Sequence, residues 1–193
     1  SENAFRDVNI AFANELSIIC DSINVNVNEL INLSNKHPRV NILNPGCGVG
    51  GHCIAIDPWF IASQFPDKTP LIQKARDVNT NKTLWVLSKI KKLIKNFVEK
   101  KGYSPVIGCL GLTYKPNIDD IRESPALKIT QNLISEGFQV LVADPNLKEH
   151  LDIELINFNL VLEKSDLVFI LVAHKEFELI HLDNQNIFNF SGS

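Results

Sequence analysis

The longest regular feature of the sequence is a run of apolar residues between Pro70 and Lys101 that recur at three- and four-residue steps. This spacing predicts a single α-helix. At about 1.5 Å per residue the helix would be roughly 48 Å long, which is more than a small domain needs. We therefore expect it to connect two parts of the 193-residue chain or to form a dimer contact.

The chain after this helix has the pattern of a parallel sheet. Short apolar runs alternate with helical segments, in the order strand 106–112, helix 124–136, strand 139–143, helix 161–165 and strand 167–173. This alternation favours a parallel sheet with right-handed crossovers. We expect an α/β fold in which a helical domain with a long connecting helix, residues 1–101, precedes a Rossmann-like parallel-sheet domain, residues 102–193.

The chain before the long helix is predicted to be mainly helical, with helices over 4–23 and 28–34 and another after Pro58. Helical periodicity begins within the first few residues. We therefore expect the chain to be the later part of a longer protein, and whether residues 189–193 are its natural end stays open.

Charge and composition exclude several classes of partner. A net charge of −3 disfavours nucleic acid, which is bound through clustered Lys and Arg. No apolar run approaches the roughly 20 residues that cross a membrane, so we expect a cytoplasmic protein without a membrane partner. The four cysteines form no C-x-x-C pair, so neither a metal site nor a disulfide framework is expected.

A glycine-rich segment carries two of the four cysteines, in the order Gly46, Cys47, Gly48, Val49, Gly50, Gly51, His52 and Cys53. Crowded glycines predict a loop in which the backbone can approach a ligand closely. A thiol attacks as the thiolate, so a neighbouring His52 or a helix N-terminus would activate Cys53. From the residues alone, Cys53 could also be a small buried side chain, and its role cannot be separated from that of Cys47.

The position of Cys53 relative to the next helix also bears on its chemistry. If that helix begins near Ile54, Cys53 lies at its positive end. Asp57 would then follow four residues later on the same helix face.

A second polar segment, residues 111–125, directly follows the first predicted strand. Ligands of open parallel sheets bind beyond the carboxyl ends of the strands, where Lys115 and Arg122 could meet a diphosphate. The alternative is an exposed loop that forms surface ion pairs. Gly108 and Gly111 supply only part of the three-glycine dinucleotide pattern, so no NAD site is expected in this domain.

Residues 48–58 and 111–125, together with the opening stretch 3–16, resemble the UDP-glucose/GDP-mannose dehydrogenase family. The His52–Cys53 pair is similar to the branch that acts on UDP-N-acetylhexosamines. Family members have an N-terminal Rossmann domain for NAD, a helical middle that dimerises and a C-terminal domain for UDP. The resemblance covers the last two, so we expect the NAD-binding domain to be absent and the chain alone to be inactive.

The resemblance also implies roles for individual residues and a mechanism. The mechanism is oxidation of a sugar C6 alcohol by two hydride transfers to NAD, through a thiohemiacetal and a thioester on the catalytic cysteine. A UDP-sugar substrate and a homodimer formed through the central helices are the implied partners. The implied catalytic residues are Cys53 as nucleophile, Asp57 for the hydrolytic water and Asn3 for the alcohol-derived oxygen. The other implied contacts are Arg39 across the dimer, Gly48, Val49, Gly50 and Gly51 around the sugar, Tyr114 and Lys115 on the substrate, and Arg122 on NAD.

Three alternatives stay open at this point. The substrate could be another nucleotide sugar, such as UDP-N-acetylglucosamine or a GDP-sugar. The chain could instead be a non-catalytic module that binds a UDP-sugar or dimerises, and binding without NAD reduction would distinguish it. In a purely structural protein Cys53 would be inert. Cys47 stands where the family more often has Pro, and the resemblance assigns it no role.

Overall fold

The computed structural model describes residues 1–178, 180 and 186–192. Its first half is helical, with a 3₁₀ turn at Pro66–Lys68. The predicted long helix is confirmed as one continuous element. The four helices are α1 Glu2–Ser22, α2 Val27–Ser34, α3 Asp57–Gln64 and α4 Pro70–Lys101.

Local chemistry explains where these helices begin and end. The Asn26 side chain accepts hydrogen bonds from two N–H groups in the first turn of α2, which has no intrahelical acceptor for them. Gly102 ends α4 with a φ of 82°, a left-handed conformation that glycine adopts without strain. Small buried residues of α1, including Ala4, Ala11 and Ala13, let it lie close along α4.

The second half is a four-stranded parallel sheet with the strand order β2-β1-β3-β4. The α/β prediction is confirmed. The fourth strand was not predicted, because it has only three residues. The elements are β1 Ile107–Leu110, α5 Pro125–Ser135, β2 Val140–Ala143, α6 Phe158–Lys164, β3 Leu167–Ile170 and β4 Ile187–Asn189.

The long helix contributes to the core of the sheet. Val86, Ile90 and Ile94 of α4 belong to the same buried cluster as Ile129 of α5 and Phe169 of β3. The opposite face of the sheet is covered by α6. Because α4 packs on both halves, the glycine-rich loop of the first half lies beside the sheet of the second. The predicted domain boundary at residue 102 stays a prediction.

Within the described residues, no helix is both long enough and apolar enough to cross a membrane.

Candidate active site

The two polar segments singled out in the sequence meet in the structure. The N–H of Gly51 donates to the carbonyl oxygen of Arg122 at 2.8 Å. A Cβ added to Gly50 would lie 2.6 Å from the carbonyl oxygen of Glu123 and 2.8 Å from the Cβ of Tyr114. The glycines are therefore needed for close contact between two backbone segments, and residues 46–53 and 111–125 form one site.

Cys53 lies in a turn rather than at a helix start. The helix predicted after Pro58 is present as α3, which begins at Asp57, so the condition of a helix start near Ile54 is not met. The residue after Asp57 is Pro58, which favours the first turn of a helix because it lacks the N–H that an interior position would need. The carbonyl oxygen of Cys53 accepts from the N–H of Asp57 at 2.8 Å, which still holds the two residues together.

Asp57 is also bound to the start of α1. The side-chain amide of Asn3 donates to Oδ2 of Asp57 at 2.6 Å, and both residues are half-buried. The structure thus brings Asn3 and Asp57 together across 54 positions of sequence. Since the backbone N–H of Asp57 is bound to the carbonyl oxygen of Cys53, hydrogen bonds link the three predicted catalytic residues.

The loop after β1 presents an aromatic ring and two cations beside this group. Tyr114 is half-buried, and Nζ of the exposed Lys115 lies 5.6 Å from its ring centroid. Arg122 donates to Asp120 through two nitrogens, with Nη2 2.6 Å from Oδ2, so the predicted surface pairing exists here. The pKa of Arg122 is raised, first by Asp120 and to a smaller extent by neighbouring groups that include Cys53.

Gly48 and Val49 lie on the side of the loop that faces α4. Gly48 has a φ of 141°, and a Cβ there would be 2.4 Å from Oγ1 of Thr83. That hydroxyl donates to the carbonyl oxygen of Cys47 at 2.8 Å and fixes the loop on the helix. Val49 lines a cavity of 540 Å³ between α3, α4 and α5, whose wall includes Trp59.

Arg39 lies on a different face. It lines a cavity of 630 Å³ formed by α1, α4 and the segment before the glycine-rich loop, together with the exposed side chains of Phe5, Phe12 and Leu71. The structure does not place Arg39 among the residues around Cys53. Its predicted contact across a dimer stays a prediction.

The structure separates Cys47 from Cys53. Cys53 is exposed, whereas Cys47 is 5% exposed and belongs to the core. The thiol of Cys47 donates to the carbonyl oxygens of Leu171 and Phe190, each 3.4 Å away. Burial raises the pKa of Cys47 to about 12, which opposes formation of the thiolate. Cys47 therefore joins the loop to the sheet and is unsuited to nucleophilic attack.

Sequence reasoning missed a buried polar group beneath the loop after β1. Oδ2 of Asp144 accepts from the N–H groups of Leu112 and Thr113, at 2.7 and 3.2 Å. His174, fully buried, lies 3.1 Å from the same oxygen. The sequence could have indicated both residues through their positions. Asp144 directly follows β2 and His174 closely follows β3, at the edge of the sheet where ligands bind.

The described residues do not fit a dinucleotide cofactor. Gly111, with a φ of 92°, is packed against the next strand, since an added Cβ would lie 2.5 Å from the Cβ of Val172. The backbone there is not open to a pyrophosphate. Helix α5 begins 14 residues later, with Ser124 as its capping residue, so its N-terminus does not directly follow the glycine turn.

In the described part of the chain, no group of three His, Cys, Asp or Glu side chains could hold a metal ion.

The structure thus combines a helical domain that carries an exposed thiol with a parallel α/β sheet, and the loop of the thiol contacts the loop at the carboxyl edge of that sheet. Residues 1–81 match the family model "UDP-glucose/GDP-mannose dehydrogenase family, central domain". Residues 108–189 match the UDP binding domain of the same family. The chain belongs to the UDP-glucose/GDP-mannose dehydrogenase family, as the resemblance predicted.

Individual relatives narrow the comparison. The chain is 53% identical over 191 residues to UDP-N-acetyl-D-mannosamine dehydrogenase of Campylobacter jejuni, covering 95% of this chain and 46% of that protein. It is 51% identical over 188 residues to NDP-N-acetyl-D-galactosaminuronic acid dehydrogenase of Ralstonia nicotianae, covering 95% and 43%. The structure of UDP-N-acetyl-mannosamine dehydrogenase Cap5O from Staphylococcus aureus superposes with a TM-score of 0.79 at 41% identity, covering 96% and 43%. The chain thus spans about half the length of the relatives it matches.

Proposed function

We propose that the chain supplies the thiol and the nucleotide site of an NAD-dependent UDP-sugar 6-dehydrogenase that converts UDP-N-acetyl-D-mannosamine to UDP-N-acetyl-D-mannosaminuronate. The observation that carries this proposal is the contact between the two loops, in which Gly51 is bound to Arg122. It puts an exposed cysteine beside cationic side chains at the ligand-binding edge of the sheet. The mannosamine substrate is supported by the identity to the Campylobacter jejuni relative.

In this proposal Cys53 acts as a covalent nucleophile. Its sulfur adds to the C6 aldehyde carbon, and the thiol proton passes to the aldehyde oxygen, giving a thiohemiacetal. Oxidation to the thioester is followed by attack of water, which breaks the carbon–sulfur bond and releases the carboxylate and the thiol. A covalent intermediate divides one difficult oxidation into easier steps.

Asp57 and Asn3 have complementary parts in this reaction. Asp57 would accept a proton from the attacking water. Its backbone N–H donates to the carbonyl oxygen of Cys53, which ties the residue that carries this carboxylate to the turn of the thiol. Asn3 uses one amide N–H for Asp57, at 2.6 Å, and its second N–H is available to a substrate oxygen. The negative charge that develops on that oxygen is stabilised by such a donor.

The proposed cofactor is NAD, which takes up the two hydrides of the oxidation. Because the described residues contain no dinucleotide site, we expect the 193-residue chain by itself to bind the UDP-sugar without reducing NAD. Arg122 is the proposed contact with the end of NAD. Its side chain is 63% exposed, so it can turn from Asp120 towards a ligand.

The substrate contacts and the assembly are also part of the proposal. Tyr114 and Lys115 are assigned to the nucleotide, with Gly48, Val49, Gly50 and Gly51 around the sugar. Arg39 is assigned to the sugar nucleotide of a second copy, in a homodimer formed through the central helices. The apolar side chains exposed around Arg39 are of the type that a homodimer covers.

Calorimetric titration tests the nucleotide site directly. UDP and UDP-N-acetyl-D-mannosamine are titrated into the unaltered chain, Lys115→Ala and Lys100→Ala. Removing a cation from a diphosphate should weaken binding of both ligands about tenfold. Lys100 is an exposed lysine in the last turn of α4 and serves as the matched control. Equal affinities for all three proteins, or no binding by any, would contradict the assignment.

UDP-N-acetylglucosamine is the second candidate substrate. The Ralstonia nicotianae relative is named for NDP-N-acetyl-D-galactosaminuronic acid, which extends the question to UDP-N-acetylgalactosamine, the alcohol that corresponds to that acid. The affinity order of the three UDP-N-acetylhexosamines decides among them. A non-catalytic binding module would bind without placing the sugar at the thiol. If a bound UDP-sugar slows alkylation of Cys53 by an added reagent and UDP alone does not, the sugar lies at the thiol, which would argue against that module.

A further inference from the structure

We propose that His174 is a positioning residue that holds the loop carrying Tyr114 and Lys115 through an acceptor nitrogen, Nδ1, and that this bond sets the affinity for the nucleotide. The imidazole is fully buried behind that loop. The backbone N–H of Asn117 points at its Nδ1 at 3.0 Å. The inference rests on the proposed nucleotide site, which Tyr114 and Lys115 would form.

The hydrogen bonds determine which ring nitrogen of His174 carries the proton. A backbone N–H can only donate, so Nδ1 must be the acceptor for Asn117. The neighbouring contact, from the side-chain amide nitrogen of Asn146 at 2.8 Å, must then also be a donation to Nδ1. The proton therefore lies on Nε2, 3.1 Å from Oδ2 of Asp144 and 3.2 Å from Oγ1 of Thr113.

The carboxylate of Asp144 completes this arrangement. Burial by itself would raise the pKa of Asp144, but hydrogen bonds from His174 and from backbone N–H groups hold it below its usual value. An ionised carboxylate is an acceptor only, which favours the proton on Nε2. Thr113 donates its own hydroxyl proton to the carbonyl oxygen of Lys115 at 3.0 Å, so its oxygen is free to accept from His174.

The loop depends on this bond because its backbone is strained at Asn117. Asn117 has a φ of 59°, in the left-handed region that non-glycine residues seldom adopt. Its side-chain oxygen accepts from the N–H of Lys175, at 3.0 Å, while its own N–H donates to His174. Two bonds to the segment after β3 thus hold one strained residue, two positions after Lys115.

Two substitutions of His174 separate the two nitrogens. In His174→Asn the amide oxygen can take the place of Nδ1 as acceptor, while the donor to Asp144 is lost. In His174→Gln the longer amide can supply the donor near Asp144, while the acceptor for Asn117 is lost. His150→Gln is the control, because Nδ1 of the half-buried His150 accepts from the N–H of Asp152 at 3.2 Å, outside the loop that carries Tyr114 and Lys115.

Three measurements on the chain decide the proposal. Nitrogen NMR of the unaltered chain should show the His174 proton on Nε2. Amide exchange at Asn117 should accelerate at least about tenfold in His174→Gln and stay within about threefold in His174→Asn. The dissociation constant for UDP should likewise rise more in His174→Gln than in His174→Asn, and it should be unchanged in His150→Gln. Thermal unfolding of each variant shows whether a loss reflects the loop or the whole fold.

The outcomes separate this inference from the proposed function. A proton on Nδ1, or equal exchange at Asn117 in the two His174 variants, would overturn the positioning role at any measured affinity for UDP. Accelerated exchange with an unchanged dissociation constant would overturn the link to the nucleotide. If the unaltered chain binds no UDP, the proposed nucleotide site fails, while the NMR and exchange results still decide whether His174 holds the loop.

Discussion

The aromatic ring of Tyr114 lies against the backbone of Gly51, where an added Cβ would be 2.8 Å from Cε2 and 2.9 Å from Cζ of the ring. Gly51 belongs to the loop that carries the thiol, and Tyr114 to the loop that follows β1. The relative position of the thiol and the proposed nucleotide site therefore depends on the absence of one methyl group.

Gly51→Ala should destabilise the chain more than an ordinary glycine substitution. Gly51 and Gly137 share a φ of 86°, but a Cβ at Gly137 would meet nothing within 4 Å. Gly137→Ala thus measures the cost of the left-handed backbone alone, about 1 kcal/mol. Gly51→Ala should cost at least about 1 kcal/mol more, because the Tyr114 ring must move.

Urea unfolding of both glycine variants measures this difference. Tyr114→Ala should remove most of the extra cost when combined with Gly51→Ala. Equal costs for Gly51→Ala and Gly137→Ala would show that the two loops separate without loss of stability.

A single thiol should react quickly in the folded chain. Cys53 is exposed, whereas Cys20, Cys47 and Cys109 are buried. Burial also raises the pKa of both Cys47 and Cys109 to about 12. Titration with a chromogenic disulfide at mildly alkaline pH should release one equivalent rapidly, and the other three only after unfolding.

The matched variants for this prediction are Cys53→Ser and Cys47→Ser. The first should abolish the rapid phase and the second should leave it intact. A rapid phase that persists in Cys53→Ser would mean that a buried thiol becomes accessible by local opening.

Removing one partner of the buried ion pair between α1 and α4 should strongly destabilise the chain. Nη1 of Arg76 lies 2.6 Å from Oδ1 of Asp7, and the two side chains are 8% and 1% exposed. Asn79 donates to the same carboxylate oxygen at 2.8 Å. Arg76→Met leaves the Asp7 charge buried without its partner, which should cost about 3–5 kcal/mol.

A double-mutant cycle with Asp7→Leu checks this prediction. The double variant should be less destabilised than the sum of the two single variants, because it leaves no isolated charge. Lys74→Ala is the control. Its 3.6 Å pair with Asp77 on the same helix is exposed, so the change should cost less than about 0.5 kcal/mol. Additive single effects would contradict a coupled pair.

Lys82 should make the stability of the chain depend on pH. Burial lowers the pKa of Lys82 to about 8, although its Nζ is 2.7 Å from Oγ of Ser17. Below that pH the folded and unfolded chains both carry the proton, and the cost of burying the charge is complete. Between pH 8 and 10.5 only the unfolded chain keeps the proton, so stability rises with pH.

Comparison with Lys82→Met isolates this contribution from other titrating groups. The unfolding free energy of the unaltered chain, relative to Lys82→Met, should increase by about 3 kcal/mol across that pH window. Urea titrations at several pH values measure it. A difference that is independent of pH would mean that Lys82 keeps its proton in the folded chain.

The sequence predicted elements best where a long pattern was present. The 32 residues of α4 repeat their apolar spacing over many turns, and a periodic pattern of that length identifies a helix reliably. The helix predicted after Pro58 was also found, as α3, because Pro58 favours the first turn of a helix. Strand β4 was missed, since three residues show no period.

The candidate site also contains residues that local motifs identify and residues that only tertiary contacts reveal. The exposed cysteine, its carboxylate and the cationic loop could be named from local motifs and from the family resemblance. The roles of Cys47, Asp144 and His174 could not be inferred, because each depends on contacts with distant segments. Cys47, for example, is distinguished from Cys53 by carbonyl oxygens that lie 124 and 143 positions further along the chain.

By itself the sequence determined the helical first half, the α/β second half, the family and the residues that can do chemistry, because these follow from local spacing and side-chain type. Only the tertiary structure decided which thiol is exposed, which carboxylate meets Asn3 and how His174 bonds to the loop after β1. Burial and hydrogen bonding set the reactivity of a side chain, and both arise from residues that meet only when the chain has folded.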